Sequence, residues 1–175
     1  MAGGEAHGIV DSARRQVGLT LYYDPSYVKL DYPMGDVPLD RGVCTDVVIR
    51  SLRKIGMDLQ KLIHEDRLAH PSRYAGLYSG KKPDYNIDHR RVKNIQAYLA
   101  SRGYRVSGPF EPGDIVVWKL PISGLDHIGI CSDKRASSGE LMVIHNIGAG
   151  TKEEDVLYDY RIVDHFRISG MKKRR

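Results

Sequence analysis

The sequence predicts an α+β domain in which N-terminal helices pack on a C-terminal antiparallel β-sheet. Three observations lead there. Apolar residues recur at helical spacing through the first two-thirds of the chain, and beyond Gly103 they collect into short runs separated by Pro, Gly, Ser and Asp turns. No linker-like stretch interrupts the 175 residues, a length that one hydrophobic core serves. A run of helices followed by a run of strands is the pattern of helices gathered on one face of a sheet. The expected unit is one domain over residues 1–175, with its core at about 6–168.

From Gly8 to Val17, the positions Ile9, Val10, Ala13 and Val17 mark one helical face, and Gly18 offers a stop. Residues 20–41 hold Tyr22, Tyr23, Tyr27 and Tyr32 among Pro, Asp and Gly without a sustained period, which predicts an ordered loop with at most one short helix. Val43, Val47, Val48, Leu52 and Ile55 define the next helix, closed by Gly56, with Cys44 in its first turn. Asp58 suits the N-cap of a helix reaching about Leu68. After the break at Pro71, Asp88 can cap a helix carrying Val92, Ile95 and Leu99 and ending at Gly103. Apolar runs at 115–120, 127–131, 141–144 and 162–168 then predict four strands.

Apolar residues make up 41% and charged residues 28%, with Gly and Pro scattered, which is a globular rather than a disordered composition. The net charge of +5 suits approach to an anionic polymer. The excess sits in local groups, Arg14-Arg15, Lys81-Lys82, Arg90-Arg91 and Lys172 to Arg175, without the aromatic interleaving of single-strand binders, so no nucleic acid is expected as a partner. No apolar run reaches the roughly 18 residues a membrane span needs. The opening Met-Ala-Gly-Gly-Glu-Ala-His lacks a signal core and reads as the point where an export signal was removed, although a natural cytosolic start reads the same way.

Two cysteines are too few for a disulfide framework, so a free thiol is the better reading for one of Cys44 and Cys131. Cys44 stands at a helix start, where unpaired amides and the helix dipole favour thiolate and lower the thiol pKa. Taken alone it reads first as a small buried hydrophobe. A nucleophilic cysteine needs a base and a group that orients the base, supplied by elements distant in sequence. Asp126 to Ile130 and Val143 to Asn146 each carry a histidine at the end of an apolar strand, and His127 and His145 could converge there. His7, His64, His70 and His165 read as satisfied surface or core imidazoles.

Neighbouring strand residues face opposite ways, so Asp126 is a poor orienter for His127, whereas Cys131 shares its face but lies deeper, as core. Asp46 is either a carboxylate that stabilises the helix dipole or a substrate contact. His89, Arg90 and Arg91 read as a solvated face. Zinc-finger spacing, a phosphate loop and a paired-carboxylate signature are all missing, so neither cofactor nor metal is expected.

The segment Glu111-Pro112-Gly113-Asp114-Ile115-Val116-Val117-Trp118 resembles the strand signature that precedes the catalytic strand in NlpC-type cell-wall cysteine peptidases, part of the papain-like clan. The order cysteine, histidine, polar residue matches too. The resemblance implies a papain-like (NlpC-type) fold: the nucleophile starts a helix, the base begins a His-x-Gly-Ile strand and the orienting residue lies on the next strand. Cys44, His127 and His145 occupy those places, with Asn146 as rival to His145. The helix start reads Val-Cys-Thr-Asp where the superfamily commonly has Asp-Cys-Ser-Gly. From about Ala6 to Ile168 the chain is similar to a bacterial subfamily labelled only as a domain of unknown function. That similarity rests on the Tyr-Pro-x-Gly-Asp-Val-Pro segment from Tyr32, the Val-Cys-Thr-Asp helix start, Asn-Ile-Asp-His-Arg-Arg from Asn86 and His-Asn-Ile-Gly from His145.

The superfamily resemblance implies a hydrolase that cleaves an amide bond in peptidoglycan stem peptides or crosslinks through a thioester, as an amidase or endopeptidase. The expected protein is monomeric and periplasmic or secreted. The oxyanion would meet backbone amides at the start of the Cys44 helix, that of Cys44 among them. Tyr32, Asp36 and Arg41, in the loop feeding the nucleophile, are candidates to bind a zwitterionic stem peptide, with structural roles standing beside that one. Two alternatives remain: a catalytically idle wall-binding module, and an acyl or isopeptide transferase using the same triad.

Overall fold

The structure, a computed structural model, describes residues 3–77 and 80–170. In chain order it comprises helix α1 (Gly4–Arg15), short strands β1 (Tyr22–Tyr23) and β2 (Arg41–Gly42), and helices α2 (Cys44–Arg53), α3 (Leu59–Ala69) and α4 (Val92–Ser101). The sheet strands follow: β3 (Ile115–Lys119), β4 (Asp126–Arg135), β5 (Leu141–Asn146), β6 (Thr151–Glu154) and β7 (Arg161–Phe166). Two 3₁₀ turns, Pro71–Tyr74 and Asp88–Arg90, link the helices. The basic group Lys172 to Arg175 lies outside the described residues.

Strands β3 to β7 form one antiparallel sheet in the order β6-β5-β4-β3-β7. Side chains alternate along each strand, so the sheet has two buried faces. Ile115, Val117, Ile128, Ile130 and Ile144 pack against the helices, meeting Val47, Val48, Leu52, Ile95 and Leu99. Val116, Trp118, Cys131 and Val143 point the other way, under Leu157 and the flanking Phe110, Val156 and Tyr160. That double coverage is why Ile115-Val116-Val117-Trp118 is apolar without interruption. Both cysteines are free and buried.

The expected helices form with small shifts in their ends, and Asp58 caps α3 by accepting the Gln60 amide. Three differences from expectation have local causes. The segment 20–41 is a loop without a helix, as expected, but beyond expectation its ends pair as parallel strands β1 and β2. Asp88 does not cap α4: its carboxylate accepts from the buried Arg67 (2.8 Å) and from the Asp84 amide (2.8 Å), and Arg91 takes the N-cap position. The unforeseen β6 is a charged edge strand, Thr-Lys-Glu-Glu, whose lack of apolar residues is what protects a sheet edge from pairing with other chains.

The signature segment before β3 turns out to be architectural. Asp114 is fully buried and accepts from the Glu111 amide (2.8 Å), from His165 Nε2 (2.6 Å) and from Arg167 Nε and Nη2 (2.8 and 2.7 Å). It ties the entry of β3 to the exit of β7. His165 is thus a satisfied core imidazole, stacked on Phe110. Replacing Asp114 with alanine leaves these donors unpaired, and because Arg167 keeps some solvent contact the expected cost is about 3 kcal/mol. A denaturant titration comparing midpoints at unchanged slope measures it.

Candidate active site

The position of Cys44 follows from how β2 becomes α2. Val43 is extended (φ −116°, ψ −177°) and Cys44 is the first helical residue. Asp46, in the first turn, accepts the Val43 amide on Oδ2 (2.7 Å), which anchors the helix start. The same carboxylate takes a two-pronged contact from Arg90 Nε and Nη2 (3.1 and 2.9 Å), and the Arg90 carbonyl accepts from Thr45 Oγ1 (3.0 Å). The two charged side chains are 2% and 3% exposed. A side chain at position 42 would press on Asp46, since a Cβ there would lie 3.0 Å from its Cβ and Oδ2.

This arrangement corrects the reading of His89 and Arg90 as a solvated face: both are buried, and only Arg91 of the three is exposed. A sealed carboxylate needs a cation, and Arg90 supplies it. Asp46, its oxygens occupied, is structural rather than a substrate contact.

His127 and His145 meet across β4 and β5. Their paired residues include Ile130↔Ile144 and Cys131↔Val143, and toward the open end His127 Nε2 lies 2.7 Å from His145 Nδ1. His145 Nε2 in turn lies 2.7 Å from Glu154 Oε2 on β6. The chain assigns the protons, because a carboxylate only accepts. His145 then donates from Nε2, its bare Nδ1 accepts from His127 Nε2–H, and His127 keeps a lone pair on Nδ1. Gly129 makes room for the pair: a Cβ there would sit 2.9 Å from Val143 Cγ1 and 3.2 Å from His145 Cβ. Trp118 stacks on His127 (centroids 5.3 Å, planes 21° apart) and is itself fixed by donating Nε1–H to the Leu157 carbonyl (2.9 Å). Asn146 faces the other way, donating to the carbonyls of Tyr22 and Gly42 (3.3 Å each), so it pins the β2–α2 junction and His145 is the neighbour of His127.

The thiol of Cys44 has as polar partners the amides of Ile128, Thr45 and Cys44 itself, which places it at the start of β4, one residue from His127. Its acidity differs from the expectation of a lowered value. Burial pushes the thiol up to about 12, aided by the Asp46 charge and opposed by the three amides. Burial also drives His127 down to about 3, with His145 adding to the effect, and lowers His145 against the opposing pull of Glu154. The resting site therefore holds a neutral thiol and neutral imidazoles. Cys44 forms part of the wall of an open cleft of about 350 Å³, shared with Tyr23, Val43 and the start of α4.

Tyr32, Asp36 and Arg41 are not brought to this cleft. Tyr32 packs on His64 and Tyr85 (ring centroids 5.3 and 4.9 Å), Asp36 pairs with Arg50 of α2 (2.8 Å), and Arg41 pairs with Asp40 and Asp24 (2.9 and 3.5 Å). Tyr32 and Asp36 thus hold the 20–41 segment to its surroundings and Arg41 ties that segment to itself, the structural roles that stood beside the substrate-binding reading. Glu154 and the stacking role of Trp118 are additions of the structure: the aromatic end of the β3 signature carries a signal for Trp118, whereas the polar edge strand carries none for Glu154. Among the described residues no three His, Cys, Asp or Glu side chains converge on a point where a metal ion could bind.

Two buried neutral imidazoles make stability depend on pH. His127 titrates at about 3 and His89, also depressed mainly by burial, at about 4, whereas the unfolded chain takes up those protons near 6.5. Between these values the unfolded state binds more protons, so stability falls as pH drops from about 6.5 toward 4. Each histidine contributes up to ~1.4 kcal/mol per pH unit. Unfolding free energies measured across this range should show the slope, and His89→Gln should reduce it.

Residues 10–168 match the family described as "Domain of unknown function (DUF1287)". The chain is also 51% identical over 164 residues to the protein called "Uncharacterized protein YijF" of Escherichia coli (strain K12), an alignment covering 91% of this chain and 80% of that protein. No helix among the described residues is long and apolar enough to cross a membrane. With the match running from the middle of α1 through β7 and across every residue of the Cys44, His127, His145 and Glu154 constellation, the chain belongs to the DUF1287 family.

Proposed function

We propose that this protein is a papain-like, NlpC-type cysteine hydrolase that cleaves an amide bond in peptidoglycan stem peptides or crosslinks, acting in the periplasm or outside the cell. The observation that carries the chemistry is the chain Glu154, His145, His127, with 2.7 Å at each link, ending on a lone pair one residue from the amide that meets the Cys44 thiol. The substrate class comes from the resemblance of the β3 signature and of the cysteine, histidine, polar residue order to cell-wall peptidases.

In this mechanism the thiol proton passes to Nδ1 of His127 as sulfur attacks the amide carbonyl carbon. The new imidazolium is offset through His145 by the Glu154 carboxylate, which holds the ring in the productive tautomer. The oxyanion is met by amides at the start of α2. The C–N bond breaks as His127 protonates the departing nitrogen, leaving a thioester. Water then attacks the thioester carbonyl, giving its proton to His127, and the thiolate leaves and recovers a proton to restore the resting state. In a neutral resting pair, charge develops only as the thiol proton moves to His127 and sulfur bonds to the carbonyl carbon.

Purified sacculi digested with wild type and variants test the proposal, with released muropeptides identified by mass spectrometry. Release should vanish in Cys44→Ala and fall by roughly 10²–10⁴ in His127→Ala. Glu154→Gln should cost less and alter the pH profile. Equal release by wild type and Cys44→Ala overturns the proposal.

The high thiol and low imidazole values favour a second reading, a catalytically idle wall-binding module. Cys44 alkylation compared between wild type and His127→Ala separates the two. A rate that falls in the variant supports the hydrolase, in which His127 takes the thiol proton, and a rate that the variant leaves unchanged supports the idle module.

A further inference from the structure

The cleft beside Cys44 is walled by Arg91, Lys93, Lys119 and a single carboxylate, Asp126. Three cations against one anion leave a formal local charge of +2. Asp126 engages Lys119 (2.5 Å) and Lys93 (3.4 Å), which keeps both ammonium groups on the wall of the cleft. Arg90, the other guanidinium on that wall, is spent on Asp46. Arg91 is exposed and makes no ion pair among the described residues.

The placement of these cations is locally unfavourable. Arg91 is the N-cap of α4 and Lys93 lies in its first turn, the end at which positive side chains oppose the helix dipole; the turn has no acidic residue or side-chain cap of its own, and Asp126 of β4 offsets Lys93 but not Arg91. An anion entering the cleft would remove that conflict. A guanidinium on an accessible wall binds a carboxylate through two parallel hydrogen bonds, and the neighbouring ammonium groups add point charge.

Resting on the hydrolase reading, we infer that the cleft recognises a substrate carboxylate close to the scissile amide, with Arg91 as the principal specificity residue and Lys93 supporting it. The substrate class is therefore an acidic peptide amide. The anion-binding role expected of Arg41 belongs on this reading to a residue some fifty positions later, at the start of α4.

Alkylation rates of Cys44 by iodoacetate and iodoacetamide test this, with peptide mass mapping to separate Cys44 from Cys131. The anionic reagent should be favoured at Cys44 beyond its ratio on free cysteine, and added salt should weaken that preference. Arg91→Gln combined with Lys93→Gln should lower the ratio by roughly fivefold. The double variant keeps His127, so any attraction from the imidazole is common to it and the wild type, and the change reads the cleft cations. A ratio at the free-cysteine level, or one unaltered by the two substitutions, overturns the carboxylate inference and leaves the hydrolase reading standing. Cys44 inert to both reagents in the native protein overturns both.

Discussion

The buried pair between Asp46 and Arg90 is the contact on which the rest of the site depends. One carboxylate holds the Val43 amide and so decides where α2 begins, and the arginine that neutralises it holds Thr45 through its own carbonyl. The Asp88–Arg90 turn is thereby locked against the first turn of α2, and the residue that follows, Arg91, starts α4 on the wall of the cleft. Burying two charges contributes little net stability, because desolvation consumes most of the attraction. What the pair supplies is position: neither end can shift without stranding a charge in the core.

Position and acidity are set by different forces at Cys44, and their magnitudes decide which is visible. A helix N-terminus stabilises an anion by about 0.3–1 kcal/mol at an exposed site. Raising a thiol to about 12 corresponds to ~4 kcal/mol against the thiolate. Burial wins in the resting protein, and the same burial disfavours a charged His127. On the proposed mechanism, a relay that ends on the half-exposed carboxylate of Glu154 would give the imidazolium a counter-charge at a depth where water is excluded.

The elements whose signal is periodic were legible in the sequence. Helices α1 to α4 and strands β3, β4, β5 and β7 follow from apolar spacing, and the convergence of His127 with His145 follows from two strands that each carry a histidine at the same end. Glu154 was not legible, because an edge strand made of Thr, Lys and Glu has no apolar rhythm to announce it. Arg90 was not legible either, since a charge doublet reads the same whether one member is solvated or both are. Tyr32, Asp36 and Arg41 stand near Cys44 in the chain, yet none of them lines its cleft and each has a partner elsewhere, which no spacing rule reveals. The depressed thiol expected at a helix start failed for a related reason: depth is a property of the packed whole, not of the local segment.

Strand β6 carries Glu154 on the outermost position of the sheet, where β5 pairs one side of its backbone and the Thr151 amide donates elsewhere, to the Thr20 carbonyl (2.9 Å). It is held from outside by helix α1: Arg14 reaches Glu153 through Nε and Nη2 (3.3 and 3.1 Å) and also contacts Ser132 and Asp133 on β4. The residue next to Glu154 is thus clasped by the first helix of the chain. Fraying of α1 would free this sheet margin and also loosen α2, because Ile9 and Ala13 share the core of Cys44 and Val47 and Ser12 Oγ donates to the Arg50 carbonyl (3.4 Å). The N-terminal helix thereby braces both the strand that carries Glu154 and the helix that carries Cys44.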